Sequence, residues 1–270
     1  ATRYYWTVRV WDAHNNLLTS NESAWFETGL MDVGWDDAEW IGGSDYVLDA
    51  KSKPVFNLEY EVTIPEGSTK GSFIFGANDP RLLDRNKNNY SIEGENYIKY
   101  EIDLSELEEG TGPALLHVYR KGYGPEVEIG QLDETLPFAT GTITSIDEAN
   151  KHEKHSVKIT VSSNAATTAV NGQNVALKRA AYPEEAANER LILNPLNEVQ
   201  DVPTFPRLNE IGFSVEANQQ AVFSNIKISN VREPQAIVFS ETVDSTYQGI
   251  FKDFIDGTHI SIENGGFVVN

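Results

Sequence analysis

The sequence lacks several residue types and patterns, and each absence excludes a kind of chemistry. None of its 270 residues is cysteine, so disulfides, thiolate nucleophiles and sulfur-ligated metal clusters are excluded. It has no apolar run of about 18 residues, the length of a membrane-spanning helix, and residues 1–3 do not begin a secretion signal. No tryptophan follows Trp40, which leaves the later part of the chain with tyrosine and phenylalanine as its large aromatic side chains.

Basic residues are also scarce. Lysine and arginine number 21 against 41 aspartate and glutamate residues, which gives a formal net charge of -20 and a pI near 4.6. Such a surface repels phosphate backbones and anionic lipids, so we expect neither a nucleic acid nor a membrane as partner. The charge by itself is equally explained by solubility.

Apolar and polar residues alternate with a period of two in several segments, and no segment has the pattern of a long amphipathic helix. The clearest examples are residues 55–64, 98–104 and 157–161. Their apolar sets are Phe56, Leu58, Tyr60, Val62 and Ile64, then Ile98, Tyr100, Ile102 and Leu104, then Val157, Ile159 and Val161. Half-buried strands of this kind predict an all-β protein built as an antiparallel β-sandwich.

Turn residues refine this prediction. Asn171-Gly172 provides the positive-φ pair that a two-residue type I′ hairpin needs. Residues 210–215 and 221–231 are predicted as a closing strand pair, after which Pro234 ends the domain. A short helix is predicted over Pro183–Leu191, where proline suits the first turn, inside a long excursion over Arg179–Pro206.

Strands predicted at Tyr4–Asp12 and Ser23–Gly29 form a pair without neighbours in this sequence. Because an isolated two-stranded hairpin is only marginally stable, we expect its partner strands to precede residue 1. We place boundaries near residues 43–50 and 232–236. The predicted domains are therefore a terminal hairpin with its linker over residues 1–48, a complete sandwich over 49–234 and the start of a further β-domain over 235–270.

The start of the chain resembles a known family. The segments Tyr4–Asp12 and Ser23–Leu30 resemble the last two strands of the fibronectin type III-like domain at the front of bacterial α-L-rhamnosidases. Residues Trp35–Gly43 are similar to the linker that leads from that domain into a β-sandwich. Further on, several segments resemble concanavalin-like or laminin-G-like jelly rolls, namely His155–Val161, Val170–Gly172, Ile211–Phe213 and Phe223–Ile228.

The resemblance implies that the chain is an accessory region of a carbohydrate-degrading enzyme. In that family the catalytic carboxylates lie in a downstream α-helical toroid, and nothing in this sequence matches it, so no catalytic residue is assigned. The resemblance also implies an extracytoplasmic location, periplasmic or secreted. The expected partners are a carbohydrate and a downstream catalytic domain of the same chain.

Two polar regions are candidate carbohydrate sites. The loop after residue 76 offers carboxylates and guanidinium groups that are able to bind sugar hydroxyls or a uronate, and a group of tyrosines provides rings for stacking. The candidate residues are Asn78, Asp79, Arg81, Asp84, Arg85, Tyr90, Tyr119 and Tyr123. The alternatives are a structural loop closed by Asp–Arg pairs and tyrosines that pack in the core.

The same loop also fits part of a calcium template. Asp84, Asn86, Asn88 and Glu95 occupy offsets one, three, five and twelve of such a site. Asn89 stands where the template has glycine, and strands replace the flanking helices. We therefore expect no cofactor, with calcium as the alternative.

Three functions remain open from the sequence. The leading hypothesis is a non-catalytic accessory region of a multidomain secreted glycosidase, with scaffolding and carbohydrate binding as its roles. The second is that the jelly roll is itself a glycoside hydrolase or lyase, although no carboxylate pair is singled out. The third is a purely architectural interaction module.

Overall fold

A computed structural model of the chain describes residues 3–20, 23–27, 55–79, 96–121, 135–162, 165–193, 208–232 and 234–270. The chain divides into two compact units, residues 1–43 and residues 44–270. Among the described residues, no helix combines the length and the apolar character that crossing a membrane requires.

The described part of the first unit is antiparallel and consists of β1 (Arg3–Trp6), β2 (Arg9–Trp11), β3 (Leu17–Thr19) and β4 (Ala24–Glu27). β1 pairs with β4, and β2 pairs with β3. The predicted strand Tyr4–Asp12 is therefore two strands. Large side chains of this unit are exposed, among them Tyr5 at 67% and Trp11 at 61%.

The second unit contains the remaining described strands. They are β5 (Val55–Thr63), β6 (Lys70–Ala77), β7 (Tyr97–Asp103), β8 (Leu115–Lys121), β9 (Ala139–Thr142), β10 (Lys154–Ser162), β11 (Ala165–Val170), β12 (Gln173–Asn174), β13 (Lys178–Arg179), β14 (Arg190–Ile192), β15 (Glu210–Ser214), β16 (Ala221–Asn230), β17 (Ile237–Glu241), β18 (Ile260–Glu263) and β19 (Gly266–Val269). Described helical structure is limited to α1 (Ser105–Glu108) and a 3₁₀ turn at Lys252–Phe254.

These strands form two antiparallel sheets. The first contains nine described strands in the order β12-β11-β10-β5-β16-β19-β18, with β14 beside β11 and β17 beside β16. The second contains six described strands in the order β13-β9-β8-β7-β6-β15. The prediction of an all-β protein built as an antiparallel β-sandwich is confirmed.

The core lies between the two sheets, and the period-two alternation explains which side chains fill it. On β5, Phe56, Leu58, Tyr60 and Val62 are at most 3% exposed, as predicted. Aromatic rings of the two sheets pack against each other. The ring of Tyr60 on β5 stacks on that of Phe73 on β6 in the other sheet, with centroids 4.3 Å apart. Burial of such rings is a large favourable contribution to folding.

A second aromatic group closes one end of the core. Phe213 of β15 stacks on Phe223 of β16 with centroids 4.7 Å apart, and it lies 5.6 Å from Phe267 of β19. The ring of Phe251 is 5.1 Å from Phe267. Residues from the end of the chain therefore belong to the core of this sandwich.

The predicted Asn171-Gly172 hairpin is confirmed. Asn171 has a φ of 51° and Gly172 a φ of 77°, and Val170 pairs with Gln173 across the turn. Both residue types tolerate the left-handed region, which is why this dipeptide is favoured there.

The helix predicted over Pro183–Leu191 is wrong. The segment forms turns, and β14 begins at Arg190 and pairs with β11, so that Leu191 lies opposite Ala166. Leu191 is buried in the core. Long-range strand pairing has overridden the local preference of this segment.

The strands predicted at residues 210–215 and 221–231 exist, but they do not pair with each other. β15 pairs with β6 and β16 pairs with β5, so the two strands lie in different sheets. A short connection in sequence favours a hairpin, yet in a sandwich it also joins one sheet to the other.

Residues 235–270, which we expected to start a further β-domain, instead complete the nine-stranded sheet. β17 and β19 both pair with β16. The physical reason is the apolar face of β19, whose Phe267 and Val269 are buried in the core. Pro234 therefore does not end the domain.

Candidate functional site

The six-stranded sheet carries polar side chains on the face that points away from the core, and we call this set the outer polar face. On β7 the alternate residues between the core positions lie on that face. Cross-strand register places Glu101 of β7 opposite Ser72 of β6 and His117 of β8, and His117 opposite Thr140 of β9. The outer polar face comprises Lys70, Ser72, Lys99, Glu101, Asp103, His117, Tyr119 and Thr140.

Glu101 lies at the centre of this face and is 1% exposed. Its Oε2 accepts hydrogen bonds from the Ser72 hydroxyl and the Lys99 ammonium, each at 3.0 Å. Its Oε1 accepts a hydrogen bond of 3.1 Å from the Tyr119 hydroxyl. A buried carboxylate needs such partners, and these three donors provide them.

Tyr119 is half-buried and is held from two directions. Its hydroxyl donates to Glu101, and the Lys99 Nζ lies 4.1 Å from the centroid of its ring. Burial, and next the Glu101 carboxylate, raise the pKa of Tyr119 well above its ordinary value. The phenol therefore stays protonated and acts as a hydrogen-bond donor.

Asp103 lies next along the same strand face. The Ser105 backbone N–H donates to its Oδ1 at 2.8 Å, while Lys70 Nζ and His117 Nε2 lie 3.5 and 3.6 Å from its Oδ2. Burial by itself would raise the pKa of Asp103, but His117, Ser105 and Lys70 outweigh it and hold this pKa well below its ordinary value. The carboxylate is therefore charged across the neutral and mildly acidic range.

His117 is oriented by its other ring nitrogen. Its Nδ1 lies 2.9 Å from the Thr140 hydroxyl oxygen. When the Thr140 hydroxyl donates to Nδ1, the proton of the neutral imidazole resides on Nε2 and points toward Asp103. The face thus presents donors and acceptors next to one another.

Of the predicted carbohydrate residues, Tyr119 is part of the outer polar face. Asn78 lies just after β6 with a φ of 55° and donates to Glu210 at 2.5 Å. Asp79 is 2% exposed, and its backbone N–H donates to the Asn96 side chain at 2.8 Å. Both are thus engaged within the fold, and sugar contact by them stays a prediction.

The other predicted site residues lie outside the described residues. This applies to Arg81, Asp84, Arg85, Tyr90 and Tyr123 of the carbohydrate set and to Asp84, Asn86, Asn88 and Glu95 of the calcium set. Within the described part of the chain, no group of three or more histidine and carboxylate side chains is arranged to hold a metal ion.

Sequence reasoning did not select Lys70, Ser72, Lys99, Glu101, Asp103 or His117 as site residues. A signal was present, because Lys99, Glu101 and Asp103 form the polar half of the alternation that predicted β7. What the alternation lacks is the identity of the neighbouring strands. Only the register with β6 and β8 brings Ser72 and His117 to this carboxylate pair.

A separate charged cluster joins α1 to the turn before β10. Lys151 Nζ lies 2.9 Å from Glu108 and 2.8 Å from Glu148, and His152 Nε2 lies 2.8 Å from Glu108. These groups line a cleft of about 540 Å³. Because the Lys151 ammonium has the Glu108 and Glu148 carboxylates beside it, the cluster is explained by its role in holding the turn on the helix.

Two solved structures from Bacillus subtilis are similar to this chain at low identity. One is a protein of unknown function with a galectin-like fold, at 12% identity and a TM-score of 0.43, covering 66% of this chain and 72% of that one. The other is the carbohydrate-binding module CBM66, at 11% identity and a TM-score of 0.35, covering 66% and 76%.

Sequence comparison finds relatives of part of the chain. Residues 1–32 match the family described as the Rha78A-like, N-terminal immunoglobulin domain. An α-L-rhamnosidase from Streptomyces avermitilis is 41% identical over 71 residues, and one from Formosa agariphila is 48% identical over 42 residues. These matches cover 26% and 15% of this chain but only 7% and 4% of the two relatives. They confirm the predicted resemblance to the accessory N-terminal β-domain region of α-L-rhamnosidases, with an immunoglobulin-type rather than a fibronectin type III-like description of the first segment.

Proposed function

We propose that this chain is a non-catalytic accessory region of a multidomain, exported glycosidase of the α-L-rhamnosidase kind, and that its sandwich binds carbohydrate on the outer polar face. The single observation that carries the binding role is the grouping of Tyr119, Glu101, Asp103 and His117 on one side of the sheet. Hydroxyl, carboxylate and imidazole groups beside an aromatic ring are what a saccharide surface requires.

The charge states of these groups favour binding over catalysis. The lowered pKa of Asp103 does not suit the general acid of a hydrolase, which needs a raised pKa to protonate the leaving group. A tyrosine that acts as a base needs a lowered pKa, whereas that of Tyr119 is raised. Asp103 is suited to accept hydrogen bonds from a ligand, and Tyr119 is suited to offer its ring.

The relatives support the remaining parts of the proposal. Both are α-L-rhamnosidases by name, and the chain matches a small part of each. We infer that a downstream catalytic domain acts on the substrate while this region keeps the enzyme on it and holds the domains in register. A location outside the cytoplasm follows from such a substrate.

Isothermal titration of the purified chain with L-rhamnosides and plant oligosaccharides tests the binding role. We expect a dissociation constant on the order of 0.1–1 mM, because a half-buried polar surface offers few contacts. Tyr119→Ala should weaken this binding about tenfold or more by removing the aromatic ring.

The matched control is Lys158→Ala on the nine-stranded sheet. Lys158 lies 3.2 Å from Glu59 and its side chain is 49% exposed, away from the outer polar face. This variant should bind as the unaltered chain does. Absence of any signal across the panel at millimolar sugar would reduce the region to scaffolding.

A further inference from the structure

The contacts of the Asp103 carboxylate with Lys70 and His117 are longer than ordinary hydrogen bonds. Its Oδ2 lies 3.5 Å from Lys70 Nζ and 3.6 Å from His117 Nε2. Both distances exceed the usual length of a hydrogen bond between nitrogen and oxygen, about 2.7–3.2 Å. Lys70 and His117 therefore lie near Asp103 Oδ2 without forming a short hydrogen bond to it.

Each of these groups has a short contact on its other side. Asp103 Oδ1 accepts from the Ser105 N–H at 2.8 Å, and His117 Nδ1 lies 2.9 Å from the Thr140 hydroxyl. Lys70 Nζ donates to Glu216 at 3.2 Å. These contacts orient the three groups from their other sides, so Oδ2 is left with its long contacts to Lys70 and His117.

A sugar hydroxyl has the chemistry that suits Asp103 Oδ2 and its two neighbouring donors. A hydroxyl donates one hydrogen bond and accepts up to two, so it is able to donate to the carboxylate while it accepts from the ammonium or the imidazole N–H. Oδ2 supplies the acceptor, and Lys70 and His117 supply donors on either side of it. Two neighbouring hydroxyls of one ring would engage both donors.

The local charge disfavours an anionic sugar. Lys70 lies within ion-pair distance of Asp103 and Glu216, and Lys99 lies 3.0 Å from Glu101. A carboxylate or sulfate placed here would face these acids at close range, within a chain whose net charge is -20. An uncharged ligand avoids this repulsion.

We propose that the outer polar face selects neutral saccharides, with Asp103 as the acceptor of a ring hydroxyl and Lys70 and His117 as the donors to neighbouring hydroxyls. The inference rests on the proposed function and makes it specific. It assigns the ligand class, uncharged sugars with adjacent hydroxyls, and it excludes uronates and sulfated sugars as preferred ligands.

The test titrates the full chain with pairs of saccharides. Each neutral oligosaccharide of the panel is measured beside a counterpart of the same linkage that carries a uronate carboxylate or a sulfate ester. We expect the neutral member to bind about tenfold or more tightly at low salt, with the difference shrinking as salt screens the charges.

The variant Asp103→Asn should weaken neutral binding about tenfold, since hydrogen bonds to charged acceptors are the stronger ones, and should narrow the difference between the two members of a pair. Glu59→Gln, an acid on the nine-stranded sheet beside Lys158, is the control and should change neither value. If Asp103→Asn fails to fold, the ring nitrogen resonances of His117 in the unaltered chain serve instead, because a neutral sugar should shift them.

The outcomes separate the inference from the proposed function. Equal or tighter binding of the acidic members overturns the inference and leaves carbohydrate binding in place. The same conclusion follows if neutral sugars bind but Asp103→Asn does not weaken that binding, or, where that variant does not fold, if the His117 resonances do not shift. Absence of binding by every member of every pair overturns the proposed function itself.

Discussion

The hydroxyl of Tyr119 donates a hydrogen bond of 3.1 Å to Oε1 of Glu101, so a residue on β8 stabilises a buried carboxylate on β7. The pair sets the character of the outer polar face: Glu101 stays hydrogen-bonded, and Tyr119 stays protonated beside it. Both side chains are consequently fixed by the fold, which would lower the entropic cost of the proposed binding.

Removal of the Glu101 side chain should destabilise the sandwich strongly. Glu101→Ala leaves the Lys99 ammonium, only 17% exposed, without its 3.0 Å partner. We expect the free energy of unfolding in urea at neutral pH to fall by about 2–4 kcal/mol, because a half-buried charge then lacks compensation.

Tyr119→Phe is the matched comparison for Glu101→Ala. It removes one of three donors to Glu101 and keeps the ring, so we expect a loss of only about 1 kcal/mol. Equal losses for the two variants would contradict a central role for the carboxylate.

Acidification should weaken the sandwich through His155, which is 2% exposed. Its Nδ1 lies 3.0 Å from the Asn171 amide nitrogen and its Nε2 lies 3.4 Å from the Lys151 carbonyl oxygen, an arrangement that suits the neutral ring. Burial lowers the pKa of His155 below its ordinary value of 6.5, so the unfolded chain binds the proton first. Its stabilising contribution is complete above about pH 6.5 and is lost as the pH falls below that value.

Urea unfolding at about pH 7.5 and about pH 5.5 measures this effect, since both lie above the ordinary range for carboxylates. We expect stability to fall between the two values in the unaltered chain and to fall less in His155→Gln. The same decrease in both proteins would show that another group is responsible.

A methyl group at Gly141 should disturb the contact between β9 and the segment before β13. A Cβ at Gly141 would overlap the backbone carbonyl of Ala176 and lie 3.0 Å from Val175 Cγ1. We expect Gly141→Ala to lower the free energy of unfolding by about 1–3 kcal/mol, as overpacking does.

Gly212 on β15 provides the control, because a Cβ there has nothing within 4 Å. Gly212→Ala should leave stability unchanged or raise it slightly by restricting the unfolded chain. A large loss there would mean that β-strand glycines are needed here for a reason other than space.

Truncation after residue 234 should abolish cooperative folding of the sandwich. It removes Phe251 and Phe267, whose rings lie 4.9 and 5.6 Å from that of Phe213. We expect loss of near-ultraviolet circular dichroism and binding of a hydrophobic dye, since the core would be exposed. A chain that starts at Ser44 should keep a cooperative transition, because residues 44–270 form a compact unit.

The strands that sequence predicted correctly are those whose own residues carry the signal. Alternation identified β5, β7 and β10, and the Asn171-Gly172 pair identified the turn between β11 and β12. Pairing of β15 with β6 and of β16 with β5 was missed, because it depends on surfaces far apart in sequence. The helix prediction over Pro183–Leu191 failed for the same reason, because the end of this segment pairs with β11 as strand β14.

The site could be predicted only in part. Tyr119 was predicted because of its ring, whereas most of the other predicted residues belong to the polar loop after Gly76 and not to the sheet. Glu101 and Asp103 are ordinary acids in sequence, and their distinctiveness arises from Ser72, His117 and Lys99 arriving from three strand positions. The sequence around Glu101 and Asp103 does not show which residues of the neighbouring strands will lie beside them.

The central position of β5 has a consequence for biosynthesis. Leu58 pairs on one side with Ile159 and on the other with Ile228, so the strand obtains its partners only after most of the chain has been made. At a synthesis rate of about 5–20 residues per second, β16 is made on the order of ten seconds after β5. During that time β5 lacks its second neighbouring strand. The apolar face of β5 is therefore open to chaperones for much of the synthesis of the sandwich.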